Sequence, residues 1–324
     1  MRAITYQTHG SPNLLKIEEI EKPVPEDDQV LIKVRAASIN PIDYHLLRHP
    51  SMRRLMIALS KGKLKRPGRD VAGDVEAVGR NVTGMKAGDA VFGLCGGAFA
   101  EYACVTPNAL VLKPGNVSFE EAASVPLVGL TALQGLRDKG RVKAGEKVLI
   151  NGAAGGVGTF TVQIAHWLGA HVTGVCSTRN VDLVRSLGAD QVIDYTREDF
   201  TQNGQRYDLL FDLVTNHSFK ACRRVLTPKG TYIAAGMVGR KMSMRGVLAN
   251  QLELFVGSRF ISQRVVPFVA KLSQTDLALL AELVATGRVR PVIDRTYPLV
   301  EVETALEYLE RGHAQGKVVI SLEN

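Results

Sequence analysis

Few cysteines and no long apolar runs set the first limits on this chain of 324 residues. It has four cysteines and no C-x-x-C pair, which argues against a disulfide framework and against a structural zinc site. The most apolar stretch, residues 122–133, is interrupted by Pro126 and Gly129 and is too short to span a membrane. Residues 1–6 lack the features of a signal peptide or a transit peptide. These absences predict a cytoplasmic protein that has no membrane partner.

Acidic residues are in the minority. The chain has 40 Lys and Arg against 32 Asp and Glu, a formal net charge of +8. No motif for binding RNA or DNA accompanies this charge, so attraction of an anionic cofactor explains it more simply, and no nucleic-acid partner is predicted. The hydrophobic content of 45% is enough for a large core. Length and composition together are typical of an enzyme with two domains.

A glycine-rich segment in the middle of the chain is the most informative feature. The apolar strand predicted at Lys147–Asn151 leads directly into Gly152–Gly158 and then into a helix with apolar spacing. Gly169 ends this helix, and His171–Cys176 has the pattern of the next strand. Such a strand, glycine turn and helix hold a pyrophosphate on the helix N-terminus, although Ala153 replaces the first glycine of the usual G-x-G-x-x-G pattern.

The pattern of predicted elements changes along the chain and divides it into two domains. Strand-like segments dominate the first part, whereas strands and helices alternate after about residue 118, as in a parallel sheet covered on both faces. The apolar strand Lys317–Ile320 needs a sheet to join, and we assign it to the N-terminal part. We therefore predict a β-rich substrate domain at residues 1–118 and 291–324 and a dinucleotide-binding domain at 119–290. The active site is expected in the cleft between them.

Six segments form a combined signature: Ala37–Asp43, Pro67–Gly73, Gly84–Phe92, Gly97–Tyr102, the glycine turn and Gly312–Val319. In this order they resemble the medium-chain dehydrogenase/reductase superfamily and, within it, the zinc-free quinone and enone reductases. The resemblance covers essentially the whole chain. It implies an α/β protein in which a GroES-like β-rich domain accompanies a Rossmann domain with a doubly wound parallel sheet.

The positions where zinc-dependent relatives have their ligands hold other residues. By this resemblance Asn40 replaces a cysteine, Arg69 and Asp70 replace a His-Glu pair, and the cysteine-rich lobe expected near Cys95 is missing. Arg69 places a fixed positive charge where a cation should bind. We therefore predict no metal. Without a Lewis acid, reduction of a quinone or a conjugated C=C bond is easier to support than alcohol chemistry, because hydride addition gives a delocalised anion.

The end of the second strand of the dinucleotide unit indicates which cofactor is bound. An NAD site usually has an Asp or Glu about twenty residues after the glycines. This chain instead has Ser177 and Arg179, whose hydroxyl and guanidinium suit a 2′-phosphate. The resemblance adds Tyr195, which matches a tyrosine that quinone reductases bring to this phosphate, although Val181 stands where they use a lysine. The predicted cofactor is NADPH.

The resemblance also supplies candidates for the residues that contact the substrate, relay a proton or bind the cofactor. Asn40 is expected to face the substrate and to donate to an oxygen that gains charge. Tyr44 and His45 share the place of a tyrosine in quinone reductases, and each is either a proton relay or a packed structural residue. Lys317 either reaches the cofactor or is a solvated lysine at a strand end. The residues predicted to bind cofactor are Thr131, Gly152, Ala154, Gly155, Gly156, Val157, Gly158, Ser177, Arg179, Tyr195, Gly236 and Lys317.

Together these features predict an NADPH-dependent, zinc-independent oxidoreductase that transfers hydride to a small-molecule quinone or α,β-unsaturated carbonyl. Two alternatives stay open: a zinc-independent alcohol or aldehyde reductase, and a cofactor-binding protein without significant turnover. A homodimer is also predicted. The strand expected at Thr231–Ala235 is followed by apolar residues between Val247 and Phe268, more than one sheet edge should expose.

Overall fold

A computed structural model of the chain describes residues 1–6, 15–48, 58, 66–235 and 262–322. Two parts of the sequence-based predictions lie outside these residues. They are Gly236, predicted to contact the cofactor, and the part of the predicted dimer surface before residue 262.

The chain divides into two compact units. The first contains residues 1–130 and 272–324, and the second contains residues 131–271. The first unit includes residues 119–130 and 272–290, which the sequence-based division placed with the dinucleotide-binding domain. The domain boundaries of that division stay a prediction.

The first unit is built on a mostly antiparallel sheet. Numbered along the whole chain, its strands are β1 (Arg2–Tyr6), β2 (Leu15–Glu19), β3 (Val30–Ile39), β4 (Asp70–Val78), β5 (Ala90–Leu94), β6 (Tyr102–Val105), β7 (Leu110–Leu112), β14 (Ile293–Pro298) and β15 (Lys317–Ser321). The main sheet has seven strands in the order β14-β15-β3-β4-β5-β7, with β6 paired to β3, and β1 and β2 form a separate pair. Val318 of β15 lies opposite Ile39 of antiparallel β3. This pairing confirms that the closing strand joins the N-terminal part.

Strand β3, which pairs with β15, β4 and β6, contributes most of its side chains to the interior. Val30, Ile32 and Val34 follow each other at the two-residue spacing of one strand face, and all three belong to the hydrophobic core of the unit. The helices of the unit are α1 (Pro41–Arg48), α2 (Phe119–Ala123), α3 (Pro126–Gln134, which continues into the second unit), α7 (Gln274–Ala285) and α8 (Val302–Glu310). The start of α2 is fixed by a capping box, in which Ser118 and Glu121 each accept a hydrogen bond from the other's backbone N–H.

The second unit is built on a parallel sheet. Its strands are β8 (Lys147–Asn151), β9 (His171–Cys176), β10 (Gln191–Asp194), β11 (Tyr207–Asp212), β12 (Leu226–Ala234) and β13 (Arg264–Pro267), and its helices are α4 (Gly156–Trp167), α5 (Val181–Ser186) and α6 (Phe219–Arg224). The strand order is β10-β9-β8-β11-β12-β13 with every pair parallel. The direction of strand addition therefore reverses between β8 and β11. This is the doubly wound Rossmann arrangement, which confirms the predicted fold class.

The parallel sheet also explains the apolar strands of this unit. Val148, Leu149 and Ile150 are consecutive and all fully buried, because a sheet covered on both faces leaves no exposed side. In the part of the chain that the structure describes, the helices fall short of the length and apolarity needed to cross a bilayer.

Candidate cofactor site and active site

The turn between β8 and α4 has the geometry of a phosphate-binding loop. Gly152, directly after the strand, has a φ of 91°, which only glycine adopts readily. A Cβ at Gly158 would lie 2.0 Å from the carbonyl oxygen of Gly152, so the helix packs on the turn through the missing side chain. Gly155 is the N-cap of α4, and a Cβ there would be 3.6 Å from its nearest neighbour. The fold itself therefore does not require glycine at 155.

The space at Gly155 fits the pyrophosphate of a dinucleotide. The first amides of a helix have no intrahelical acceptor and carry a partial positive charge, so they attract an anion at the start of α4. Among the described residues other than its chain neighbours, the only atom within 4 Å of a Cβ at Gly155 is the Gly152 carbonyl oxygen, so the space beside the start of the helix is open. The turn brings together the predicted residues Gly152, Ala154, Gly155, Gly156, Val157 and Gly158.

The residues predicted to bind a 2′-phosphate lie at neighbouring strand ends. Cys176 at the end of β9 is paired in register with Asp194 at the end of β10. The backbone N–H of Tyr195 donates to the Cys176 carbonyl over 3.0 Å. Ser177 and Arg179 follow β9 directly, and the side chain of Tyr195 is 57% exposed. The sheet thus brings these three predicted residues to one end of two adjacent strands.

A carboxylate that sequence reasoning missed lies at the same strand ends. Asp194 accepts hydrogen bonds from the Thr178 hydroxyl (2.6 Å) and the Thr196 hydroxyl (2.7 Å), and Arg197 Nε lies 3.5 Å from its Oδ2. The hydrogen bond from Thr178, with help from Thr196, lowers the pKa of Asp194. The Asp194 carboxylate is therefore ionised at neutral pH. Its oxygens are already in contact with the hydroxyls of Thr178 and Thr196 and with the guanidinium of Arg197.

A buried polar cluster occupies the strand ends of the first unit. Lys317 is only 2% exposed, so it is not a solvated lysine. Its Nζ donates to the carbonyl of Ile39 and to Asn40 Oδ1, both over 2.8 Å, and lies 3.5 Å from Asp70 Oδ2. Asp70 Oδ2 also accepts from the Ser38 hydroxyl over 2.8 Å. We call these five residues the Lys317 cluster.

The amide of Asn40 is held inside this cluster. One N–H of Asn40 Nδ2 donates to Asp70 Oδ2 over 2.9 Å, and the other makes a long contact of 3.4 Å to the carbonyl of Ser38. Asn40 is 1% exposed. The second N–H is the more weakly held donor, and the role of Asn40 towards a substrate oxygen stays a prediction.

The two candidate proton relays are neighbours in α1. The rings of Tyr44 and His45 lie 4.3 Å apart, with His45 buried and Tyr44 half-buried. Burial, together with the charge of Glu310, raises the pKa of Tyr44. Thr131, predicted to contact the nicotinamide, lies half-buried in α3. The catalytic and cofactor-binding roles of these residues stay predictions.

Asp43 stabilises the start of α1 from inside the protein. Its carboxylate accepts hydrogen bonds from the backbone N–H of Asn40 (2.9 Å) and of Gly68 (3.3 Å). Burial raises the pKa of Asp43 to about 6, although the charge of Arg69 opposes this rise.

The side chains at the positions where zinc-dependent relatives have their ligands do not fit a zinc ion. The Lys317 ammonium lies within 2.8 Å of Asn40 Oδ1 and 3.5 Å of Asp70 Oδ2, so the acceptors already face a cation. Arg69 adds a further positive charge close to Asp43. Among the described residues, no three His, Cys, Asp or Glu side chains form a group that could hold a metal ion.

Comparison with known families gives two matches. Residues 26–115 match the family described as alcohol dehydrogenase GroES-like domain, and residues 187–320 match the family described as zinc-binding dehydrogenase. The match to the zinc-binding dehydrogenase family therefore does not include Asn40, Arg69 and Asp70, which stand at the positions where zinc-dependent relatives have their ligands.

Individual proteins match over nearly the full chain. A 2-methylene-furan-3-one reductase of Solanum lycopersicum is 36% identical, covering 99% of this chain and 79% of its own. An NADPH-dependent alkenal/one oxidoreductase of Arabidopsis thaliana is 35% identical with the same 99% and 79% coverage. The solved structure of the quinone oxidoreductase from Coxiella burnetii superposes with a TM-score of 0.85 at 32% identity, covering 100% of this chain and 99% of that one.

The two turn glycines should respond differently to alanine. Gly158→Ala forces a Cβ to within 2.0 Å of a carbonyl oxygen, so we expect a loss of about 1–3 kcal/mol or more in the free energy of unfolding. Gly155→Ala should cost less than about 1 kcal/mol but weaken binding of a nicotinamide dinucleotide roughly tenfold, because the added methyl group takes up space at the start of the helix. Urea unfolding and calorimetric titration measure the two effects. Equal stability losses in both variants would contradict this assignment.

Removal of the buried ammonium should be costly. Lys317→Met leaves Asp70 as an unpaired buried charge, and we expect the free energy of unfolding to fall by about 3–5 kcal/mol. The matched control is Arg80→Met, which breaks the Arg80–Asp27 pair, whose side chains are 80% and 50% exposed. That change should cost less than about 1 kcal/mol. Similar losses in the two variants by urea unfolding would show that the Lys317 cluster adds little to stability.

The buried carboxyl of Asp43 should give stability a specific pH dependence. Its folded pKa of about 6 is above its unfolded value, so between about pH 4 and 6 the folded state binds more protons. This group therefore lowers the free energy of unfolding as pH rises through that window. Asp43→Asn removes the effect, so the stability of the variant relative to the wild type should increase from pH 4 to pH 7. A pH-independent difference in urea unfolding would contradict the raised pKa.

Proposed function

The chain belongs to the medium-chain dehydrogenase/reductase superfamily, within its quinone and enone reductases, and on that premise we propose that it transfers hydride from NADPH to a quinone or an α,β-unsaturated carbonyl without a metal ion. The glycine turn at the start of α4 carries this proposal, because it can cradle the pyrophosphate of a dinucleotide. The names of the relatives support the substrate class.

The choice of NADPH is supported by the strand ends of the second unit. Ser177, Arg179 and Tyr195 offer two hydroxyls and a guanidinium near the place where an NAD site carries an acid. Charge-assisted hydrogen bonds from arginine to phosphate are among the stronger polar contacts in proteins. The Arabidopsis relative is named an NADPH-dependent alkenal/one oxidoreductase.

When bound, the cofactor supplies the hydride. The chain then has to orient the acceptor, exclude water and provide a proton for the enolate or hydroquinone anion that forms. We assign the proton to the Tyr44 hydroxyl. Tyr44 is half-buried whereas His45 is buried, so Tyr44 is the more accessible of the two neighbouring proton sources.

Zinc independence is supported by the Lys317 cluster. The position expected to bind a metal has a lysine ammonium against its acceptors, and this buried positive charge repels a second cation at the same oxygens. We propose that the protein purifies without stoichiometric zinc and keeps its activity in the presence of a chelator. Elemental analysis together with a chelator assay tests this.

A substrate panel tests the function directly. Quinones, enones, aldehydes and alcohols are assayed with NADPH and with NADH. Steady NADPH oxidation with quinones or enones supports the proposal. Turnover of alcohols or simple aldehydes in preference to them indicates the alternative reductase, and cofactor binding without turnover of any acceptor indicates a binding protein.

Arg179 should select NADPH over NADH. The variant Arg179→Ala loses a charge-assisted hydrogen bond to the 2′-phosphate, worth about 1.5–3 kcal/mol, so NADPH binding should weaken roughly ten- to a hundredfold. NADH binding should change little. Titration of both cofactors separates this effect from a folding defect, which would weaken both. Equal losses, or a wild-type preference for NADH, would overturn the assignment.

We also propose a homodimer in the cytoplasm. Among the described residues β13 forms one edge of the parallel sheet, with Val265 and Val266 half-buried, and a symmetry-related copy would cover such an edge. Light scattering at micromolar concentration tests the dimer.

The proposed location in the cytoplasm is supported by the thiols. Cys95, Cys104, Cys176 and Cys222 are all free, which is consistent with a reducing compartment.

A further inference from the structure

Two arginines, Arg66 and Arg69, lie at one end of the antiparallel sheet of the first unit, and both are half-buried. Arg69 directly precedes β4, and its carbonyl accepts a hydrogen bond over 2.8 Å from the backbone N–H of Cys95, which directly follows β5. The charges of both arginines oppose the rise in the pKa of Cys95 that burial causes. The two guanidiniums therefore share one small region beside this cysteine.

A glycine makes room for the Arg66 side chain. Gly97 has a φ of 86°, and a Cβ at this position would lie 2.9 Å from Arg66 Nε. The backbone N–H of Gly97 donates over 3.0 Å to the carbonyl of Gly68, which stands between the two arginines in the sequence. The Arg66 guanidinium thus lies against the turn at residue 97, in the place that a side chain there would occupy.

The carboxylates close to these arginines are already in use. Asp70 is held by the Lys317 cluster and by the backbone N–H of Leu127 over 3.0 Å, and Asp43 accepts from two backbone N–H groups. In the part of the chain that the structure describes, neither guanidinium lies within ion-pair distance of a carboxylate. The sequence of residues 48–69 carries several Lys and Arg and no Asp or Glu. Two partly buried positive charges of this kind attract an anion from outside the chain.

The two arginines lie at the sheet edge where Asn40 also lies. Ser38 of β3 is opposite Asp70 of β4, and Asp70 is opposite Leu94 of β5. The end of β3, the start of β4 and the end of β5 therefore meet at one edge. Asn40, which directly follows β3, is the residue predicted to face a substrate oxygen. A group bound by the arginines is accordingly part of a molecule that can also reach Asn40.

We propose that Arg66 and Arg69 bind a carboxylate carried by the acceptor, so that the preferred substrates are conjugated carbonyl compounds with an anionic group. A guanidinium binds a carboxylate through two parallel hydrogen bonds, which gives both affinity and orientation. A neutral acceptor leaves the two partly buried charges without a partner, and this difference provides the selectivity. The inference rests on the proposed function, since it takes the reduction of a conjugated acceptor as the reaction.

The test uses two acceptors that share one conjugated core, 4-oxopent-2-enoate and its methyl ester. In each, the carbon β to the ketone takes up a hydride and the α carbon takes up a proton, while one NADPH is oxidised to NADP⁺. Arg66→Met and Arg69→Met should each raise the KM for the acid about tenfold and change the KM for the ester less than about twofold. Each variant is compared with the wild type on the same acceptor, so the different intrinsic reactivities of acid and ester cancel.

Two further variants control this measurement. Arg80→Met removes an exposed arginine of the same unit, paired with Asp27, and should leave both KM values unchanged. Arg69→Lys keeps the positive charge but loses the planar fork, so the KM for the acid should rise less than in Arg69→Met. If Arg69→Met does not fold, Arg69→Lys and Arg66→Met carry the test.

Three results would overturn the inference: a wild type with equal KM values for acid and ester, unchanged KM values in the folded arginine variants, or equal increases for both acceptors. The last result would mean that the arginines act on the shared conjugated core or on the fold. Failure of the proposed function looks different, because the wild type would then oxidise NADPH with neither acceptor, and both proposals would fall.

Discussion

The contact between Lys317 and Asp70 is the interaction on which the first unit depends. Lys317 begins β15, Asp70 begins β4, and the acceptors Ile39 and Asn40 lie at the end of β3. One ammonium therefore joins the ends of three neighbouring strands in a place that water does not reach. A buried ion pair stabilises only when both partners are present and well hydrogen-bonded. The return of the C-terminal strand to the N-terminal sheet is thus enforced by charge as well as by strand pairing.

A buried aspartate has a comparable position in the second unit. Asp212 ends β11 and is held by an amide, a hydroxyl and two backbone N–H groups from the adjacent strand ends and loop. These donors are neutral, whereas the partner of Asp70 is a cation. The difference has a physical consequence. The Asp212 network fixes the shape of the surface around the glycine turn without a positive charge of its own, so attraction of an anion there is left to the start of α4 and to side chains such as Arg179.

The sequence predicts those features that depend on local pattern. The strand, glycine turn and helix at Lys147–Trp167 could be recognised because each part needs particular residues at short spacing, and the structure has them as predicted. The Lys317 cluster could not be recognised in this way. Lys317 and Asn40 are 277 residues apart, and no periodicity relates them. Thr215 was also missed, because its left-handed conformation comes from tertiary hydrogen bonds to Asp212 and not from a glycine in the sequence.

The Lys317 cluster also bears on which acceptors this protein can reduce. A lysine ammonium has three N–H donors, and those of Lys317 face Ile39, Asn40 and Asp70, so no further donor remains for a substrate oxygen. The ammonium can therefore neutralise the cluster and orient Asn40, but it cannot bind a developing alkoxide as a metal ion does. Reduction of a simple ketone or aldehyde concentrates negative charge on one oxygen. Reduction of a quinone or enone spreads that charge over a conjugated system, which weaker donors and one proton source can stabilise. If the chain works without a metal ion, as proposed, we therefore expect this fully occupied cation to favour conjugated acceptors over simple carbonyl compounds.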